Sequence, residues 1–153
     1  MTAARPIDIY RHIDAPIDVV WDLISDHRGY STWTSLRTAR LEIEGDPVPD
    51  GVGAVRFLGF GPIGAREKVL AFEPPHHMAY TILSGVPVKG YRADVHLRET
   101  ADGGTDVRWV GTFESAPPGL AGALRWELNT ALLSMASALE KVAPRRARPT
   151  SSS

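Results

Sequence analysis

Among its 153 residues the chain has no cysteine. Disulfides, thiolate metal sites and a cysteine nucleophile are therefore excluded. It also has almost no net charge. With 17 basic and 18 acidic residues the balance is −1, so no global field draws the chain to DNA, RNA or an anionic membrane. Long apolar runs are missing: no stretch approaches the ~20 residues needed to span a bilayer. The N-terminal MTAARPIDIY lacks the apolar core of a signal peptide. A cytoplasmic protein is expected, with neither a nucleic-acid nor a membrane partner. There is no internal repeat, no Walker loop and no G-x-S-x-G of a serine hydrolase.

What is present is an ordinary globular composition, 43% apolar and 23% charged, at a length that suits one domain. One stretch stands apart. In residues 119–143, Leu120, Leu124, Leu128, Ala131, Leu132, Met135, Leu139 and Val142 recur at three- and four-residue steps. That spacing predicts one long helix with a broad apolar face, opening after Pro117-Pro118-Gly119 and stopping at Pro144. Nearly everything before it reads as strand. Ile7, Ile9 and Ile13 alternate with polar residues, weakened at Arg11. Two short helices are expected next, one after Asp14-Ala15-Pro16 with Val20, Trp21, Leu23 and Ile24 on its apolar side, and one within Gly29–Leu36. Strands are then predicted at Ala39–Glu44, Ala54–Leu58, Arg66–Phe72, Met78–Leu83, Tyr91–Glu99 and Thr105–Phe113, the last two joined by a hairpin at Asp102-Gly103-Gly104. The order predicts an α+β fold: an antiparallel sheet of about seven strands curled around one long C-terminal helix, with two short helices after the first strand. Residues 1–143 form the expected single domain. PRRARPTSSS (144–153) has no apolar periodicity and is expected to be a disordered basic and serine-rich tail.

The segments DAPIDVVWDLISD (Asp14–Asp26), Trp33, GGTDVRWVGTF (Gly103–Phe113) and the C-terminal helix together resemble the START-like helix-grip (SRPBCC) superfamily. The nearest likeness is to its bacterial polyketide cyclase/dehydratase branch, over residues 7 to 143. That resemblance implies a deep cavity between sheet and helix for an apolar or aromatic ligand. It also implies that an aromatising cyclase would place arginines and an asparagine in that cavity to polarise polyketide carbonyls. The corresponding positions here fall at about Phe72, Ile82 and Met135, all apolar, which sets aromatase chemistry in doubt.

Gly59-Phe60-Gly61-Pro62-Ile63-Gly64 matches G-x-G-x-x-G, but a strand follows where a dinucleotide site needs a helix, so a hairpin turn is expected. Phe60 and Ile63 either form a rim over the cavity mouth or fold back on the helix. His76 and His77 are adjacent on a strand and point to opposite faces. His12, His27 and His96 fall in other elements. Surface histidines are expected, and neither a metal site nor a cofactor.

The ligand-binding set expected from the inward strand faces and the helix is Trp33, Phe57, Tyr80, Tyr91, Trp109, Leu128, Leu132 and Met135. The polar tips of Tyr80, Tyr91 and Trp109 need partners when buried, which suits a ligand-filled pocket. Trp126 sits opposite the main apolar stripe. Arg40 and Glu67 are the polar residues nearest to such a cavity, although the apolar Leu70 and Phe72 compete with Val69 and Ala71 for the inward face and would turn Glu67 to solvent. Glu67 and Tyr80 are the candidate catalytic groups, with no second carboxylate or histidine at a defined spacing to complete an acid–base pair. Three functions are consistent with this pattern: binding of a small hydrophobic or aromatic molecule, polyketide cyclisation or dehydration, and protein interaction through the sheet edge or the arginine tail.

Overall fold

The computed structural model of the chain describes residues 5–147. The first strand, β1 (Ile7–Ile13), buries Ile7, Ile9 and Ile13 and exposes Asp8, Tyr10 and His12, as its alternation requires. Pro16 caps α1 (Ile17–Ser25), which buries Val20, Trp21, Leu23 and Ile24. A 3-10 turn (His27–Gly29) leads into the single-turn helix α2 (Tyr30–Trp33), which buries Tyr30 and Trp33. Then follow β2 (Thr38–Ile43), β3 (Val55–Phe60), β4 (Ile63–Glu73), β5 (His77–Ser84), β6 (Arg92–Glu99), β7 (Thr105–Thr112) and α3 (Ala121–Ala147).

Among the described residues seven strands form one sheet in the order β1-β7-β6-β5-β4-β3-β2, and every neighbouring pair is antiparallel. From β2 to β7 the chain runs strand beside strand. The first strand instead pairs with the last, so α1 and α2 carry the chain from one sheet edge to the other. The apolar core lies between the curved sheet and the helices.

Where the chain bends, the reason is local. The β3–β4 hairpin turns at Gly61-Pro62, with Gly61 at φ +66°. A glycine with positive φ at the first central position is the pattern of a type II′ turn. A Cβ on Gly59 would lie 2.5 Å from the Cα of Gly64, so these two glycines let the strands approach closely. The glycine-rich motif is thus a tight hairpin. Phe60 and Ile63 pair across it and are exposed, clear of both the helix and the cavity.

The β4–β5 ladder slips twice. Between Val69 and Ala71 the register passes over Leu70, and between Glu67 and Arg66 it passes over Leu83. A bulge of this kind exchanges the two faces of a strand beyond it. Glu67, Val69 and Phe72 therefore all turn inward, although no single alternation along β4 permits that.

The long helix differs from expectation at its C-terminal end. It starts at Ala121 and runs through Pro144 to Ala147, burying Leu124, Leu128, Leu132, Ala136, Leu139 and Ala143. Proline removes one backbone donor, that facing the Glu140 carbonyl. The last turn holds because Ala143 and Ala147 pack on the core and Arg146 reaches the Thr32 hydroxyl at 3.4 Å. The first four residues of the expected tail are therefore helical; the remainder lies outside the described residues. Arg11, the irregular position in β1, reaches Glu140 of this helix at 3.4 Å. Among the described residues, no helix is long and apolar enough to cross a membrane.

Candidate functional site

Between α3 and the inner face of the sheet lies a cavity of about 170 Å³. Leu128, Leu132 and Met135 line it from α3 because they occupy successive turns on one face of the helix. Tyr80 of β5, Trp109 of β7, Tyr91 just before β6 and Glu67 of β4 line it from the sheet. Ile82 and Met135, two of the positions where a cyclase would offer polar groups, are apolar wall residues, while Phe72 packs on Trp21 with ring centroids 5.3 Å apart.

Two expected residues lie elsewhere. Phe57 is on the outer face of β3, because Arg56 and Leu58 take the inward positions; it is buried there under the guanidinium groups of Arg40 and Arg66, 4.8 and 5.7 Å from its ring centroid. Arg40 is thereby held outside too. Trp33 belongs to α2, outside the strand frame, and borders a separate groove of about 460 Å³ with Asp22, Asp26, Asp50 and Arg146. That groove is polar and open, a poor container for an apolar molecule. Trp126 is exposed.

The residue that sequence reasoning missed is Arg56. It is 1% exposed and lines the cavity wall. Its Nε donates to Glu67 Oε1 at 2.9 Å and its Nη2 lies 2.8 Å from the same oxygen. The guanidinium carbon sits 4.5 Å from the Tyr80 ring centroid and 5.7 Å from that of Tyr30, near enough for cation–π attraction in a desolvated site. Burial disfavours the cation, but Glu67 and the tyrosines outweigh it and raise the Arg56 pKa above its ordinary value. Nη1 has no acceptor among the described residues. Leaving a charged buried donor unpaired costs roughly 1–3 kcal/mol or more. One signal could have found this residue: counting outward from a turn at Gly61-Pro62 sets Arg56 opposite Glu67, as the observed register does.

The phenols beside it are neutral. Burial, then the neighbouring Tyr91 and the Glu67 carboxylate, push Tyr80 well above the usual phenol range; burial and Glu67 do the same for Tyr91. Burial also takes Tyr30 up to about 12. Trp109 Nε1 donates to the Tyr80 hydroxyl oxygen at 3.1 Å, which leaves that O–H free to donate in turn. The cavity thus combines apolar walls with one permanent cation and neutral hydroxyl donors, a set that suits an oxygen acceptor on an otherwise apolar molecule. Glu127 adds a second carboxylate from an exposed position on α3. Among the described residues, no imidazole lines the cavity.

His27 is not at the surface. It is fully buried, with Nδ1 2.9 Å from Asp50 Oδ1 and Nε2 unpartnered among the described residues. Burial, reinforced by Arg56 and only partly opposed by Asp50, lowers its pKa to about 4.

Solved structures share this architecture. A START superfamily protein from Mycobacterium smegmatis matches with a TM-score of 0.75 at 11% identity, covering 93% of this chain and 99% of that one. Ara h 8.0201 matches with a TM-score of 0.74 at 16% identity, covering 92% and 98%. The protein XoxI from Bacillus cereus matches at 0.74 and 19% identity, covering 91% and 95%. At these identities the likeness establishes the START-like helix-grip fold alone. No curated protein sequence matches the chain. A family profile, described as polyketide cyclase / dehydrase and lipid transport, matches residues 7–143. That match runs from the first strand to the last turns of the cavity-lining helix, and by it the chain belongs to the polyketide cyclase/dehydrase and lipid transport family.

Proposed function

We propose that this domain, cytoplasmic in location, binds a small hydrophobic or aromatic molecule of polyketide or lipid type in the cavity, with an oxygen acceptor of that molecule on Arg56. Family and fold suggest a hydrophobic-ligand domain. The observation that carries the finer reading is the buried guanidinium in the cavity wall, held on one side by Glu67 and with Nη1 unpartnered among the described residues. An acceptor that displaces the wall atoms over Nη1 relieves the unpaired donor, while the rest of the molecule gains about 25 cal/mol per Å² of apolar surface buried. The volume suits about one aromatic ring, since a cavity of about 150 Å³ accepts benzene; a longer ligand must extend past the α3 side or displace wall residues.

Titrating the chain with aromatic polyketides, fatty acids and single-ring phenols and carboxylates, followed by tryptophan fluorescence, tests this. Saturable quenching is expected for ligands carrying an acceptor, and an Arg56→Met/Glu67→Leu double variant should lose most of that preference while keeping affinity for purely apolar rings. Absence of a saturable response to every member of the panel would overturn the proposal.

Cyclisation or dehydration is the second reading, favoured by the presence of Glu67 and Tyr80 in the cavity wall. Arg56 would then polarise a carbonyl. Unchanged turnover of a polyketide substrate in both Glu67→Gln and Tyr80→Phe would dismiss those roles.

A further inference from the structure

The outer face of the sheet holds a second constellation that owes nothing to the cavity. Antiparallel register sets His77 of β5 opposite His96 of β6. Their rings stack with centroids 4.7 Å apart and planes 10° from parallel. Asp94 lies two residues before His96, hence on the same strand face. His77, Asp94 and His96 each offer one ligand atom, and these atoms lie within 4.8 Å of one another. Residues that are scattered in sequence are thus gathered by strand pairing.

His77 is already oriented as a ligand would be. Its Nδ1 is 2.6 Å from Glu73 Oε1, and its Nε2 is 2.7 Å from Asp94 Oδ1. A carboxylate on one ring nitrogen is the usual device that fixes a metal-bound imidazole and leaves the other nitrogen to the ion.

We propose that His77, Asp94 and His96 form a solvent-facing site for a divalent transition ion, with zinc the best match to two imidazoles and one carboxylate. Nε2 of His77, a ring nitrogen of His96 and an oxygen of Asp94 coordinate the ion, and water completes the shell. Ligand atoms in a tetrahedral zinc site lie about 3.3 Å apart, so the cluster, now spanning up to 4.8 Å, closes by side-chain rotation that splays the stacked rings. With carboxylates on both nitrogens, His77 carries a proton on Nε2; the ion takes that place and the proton leaves to solvent. Two cations face the cluster. Arg92 donates to both oxygens of Asp94, at 3.0 and 3.1 Å, and opposes a bound ion. Arg108, opposite His96 on β7, is engaged by Asp8 at 3.0 and 2.8 Å. Glu73 and Asp94 supply the anionic counterweight.

Isothermal titration of the untagged full chain with zinc chloride tests the proposal. One equivalent is expected to bind. His77→Ala and His96→Ala should each weaken binding at least about tenfold, and Glu73→Gln should weaken it about tenfold at the same stoichiometry. His12→Ala, which removes a surface histidine flanked by Asp102 and Asp106, is the control and should change nothing. Zinc should also raise the melting temperature of the wild type but not of a His77→Ala/His96→Ala variant whose circular dichroism is native. No saturable binding below millimolar zinc, or binding unchanged in both single histidine variants, would overturn the site.

Discussion

Removing the guanidinium of Arg56 leaves Glu67 in the cavity wall without its ion-pair partner. Breaking a buried pair by deleting one member typically costs about 3–5 kcal/mol, whereas replacing both members by apolar groups is often close to neutral. Urea denaturation of Arg56→Met is therefore expected to show a loss of that order, and Arg56→Met/Glu67→Leu to recover most of it. A second residue-scale prediction concerns His27. Its folded pKa is about 4 against 6.5 for a free imidazole, so between those values the unfolded chain binds more protons than the folded one. The stability linked to His27 is thus fully present above pH 6.5 and is lost as the pH falls towards 4. Urea midpoints measured from pH 7 to pH 4 should fall less steeply in His27→Gln than in the wild type. Neither residue was legible from local pattern. The run Val55–Gly59 is buried on both faces, so Arg56 sits in no alternation that marks it as inward. The burial of His27 depends on a 3-10 turn brought against β2 at the edge of the sheet, a tertiary fact.

At the scale of elements, periodicity was a good guide wherever one face met the core and the other met water. It located α3 to within a few residues and all seven strands. It failed at the bulge over Leu70, because period-2 reasoning assumes an unbroken register. The two faces that compete for inwardness along β4 each supply the inward residues of one segment: Glu67 and Val69 before the bulge, Phe72 after it. Pro144 misled for the opposite reason: a reliable local stop signal was overridden by the packing of Ala143 and Ala147. Substituting Pro144 by Ala restores a donor to the Glu140 carbonyl and removes the ring's clash with the preceding turn. The expected outcome is a gain of about 1 kcal/mol, measured as a higher thermal midpoint, with no change in ligand binding.

For the whole molecule, the count and order of elements carried the architecture: one helix too apolar to stand alone, and enough strands to receive it. The pairing of β1 with β7 was not legible from either strand alone, since both alternate equally well. It has a consequence for synthesis. Asp8 and Arg108 are partners 100 residues apart in the chain, so β1 leaves the ribosome long before its neighbour β7 has emerged. Contacts of such separation form late and slowly. Nascent chains halted before Thr105 are expected to leave Ile7, Ile9 and Ile13 open to protease, and chains extended past Thr112 to protect them. If short nascent chains were already protected there, β1 would be held by something other than its final partner. Through this gap β1 is the stretch most in need of a chaperone, although its isoleucines are among the most deeply buried side chains of the finished fold.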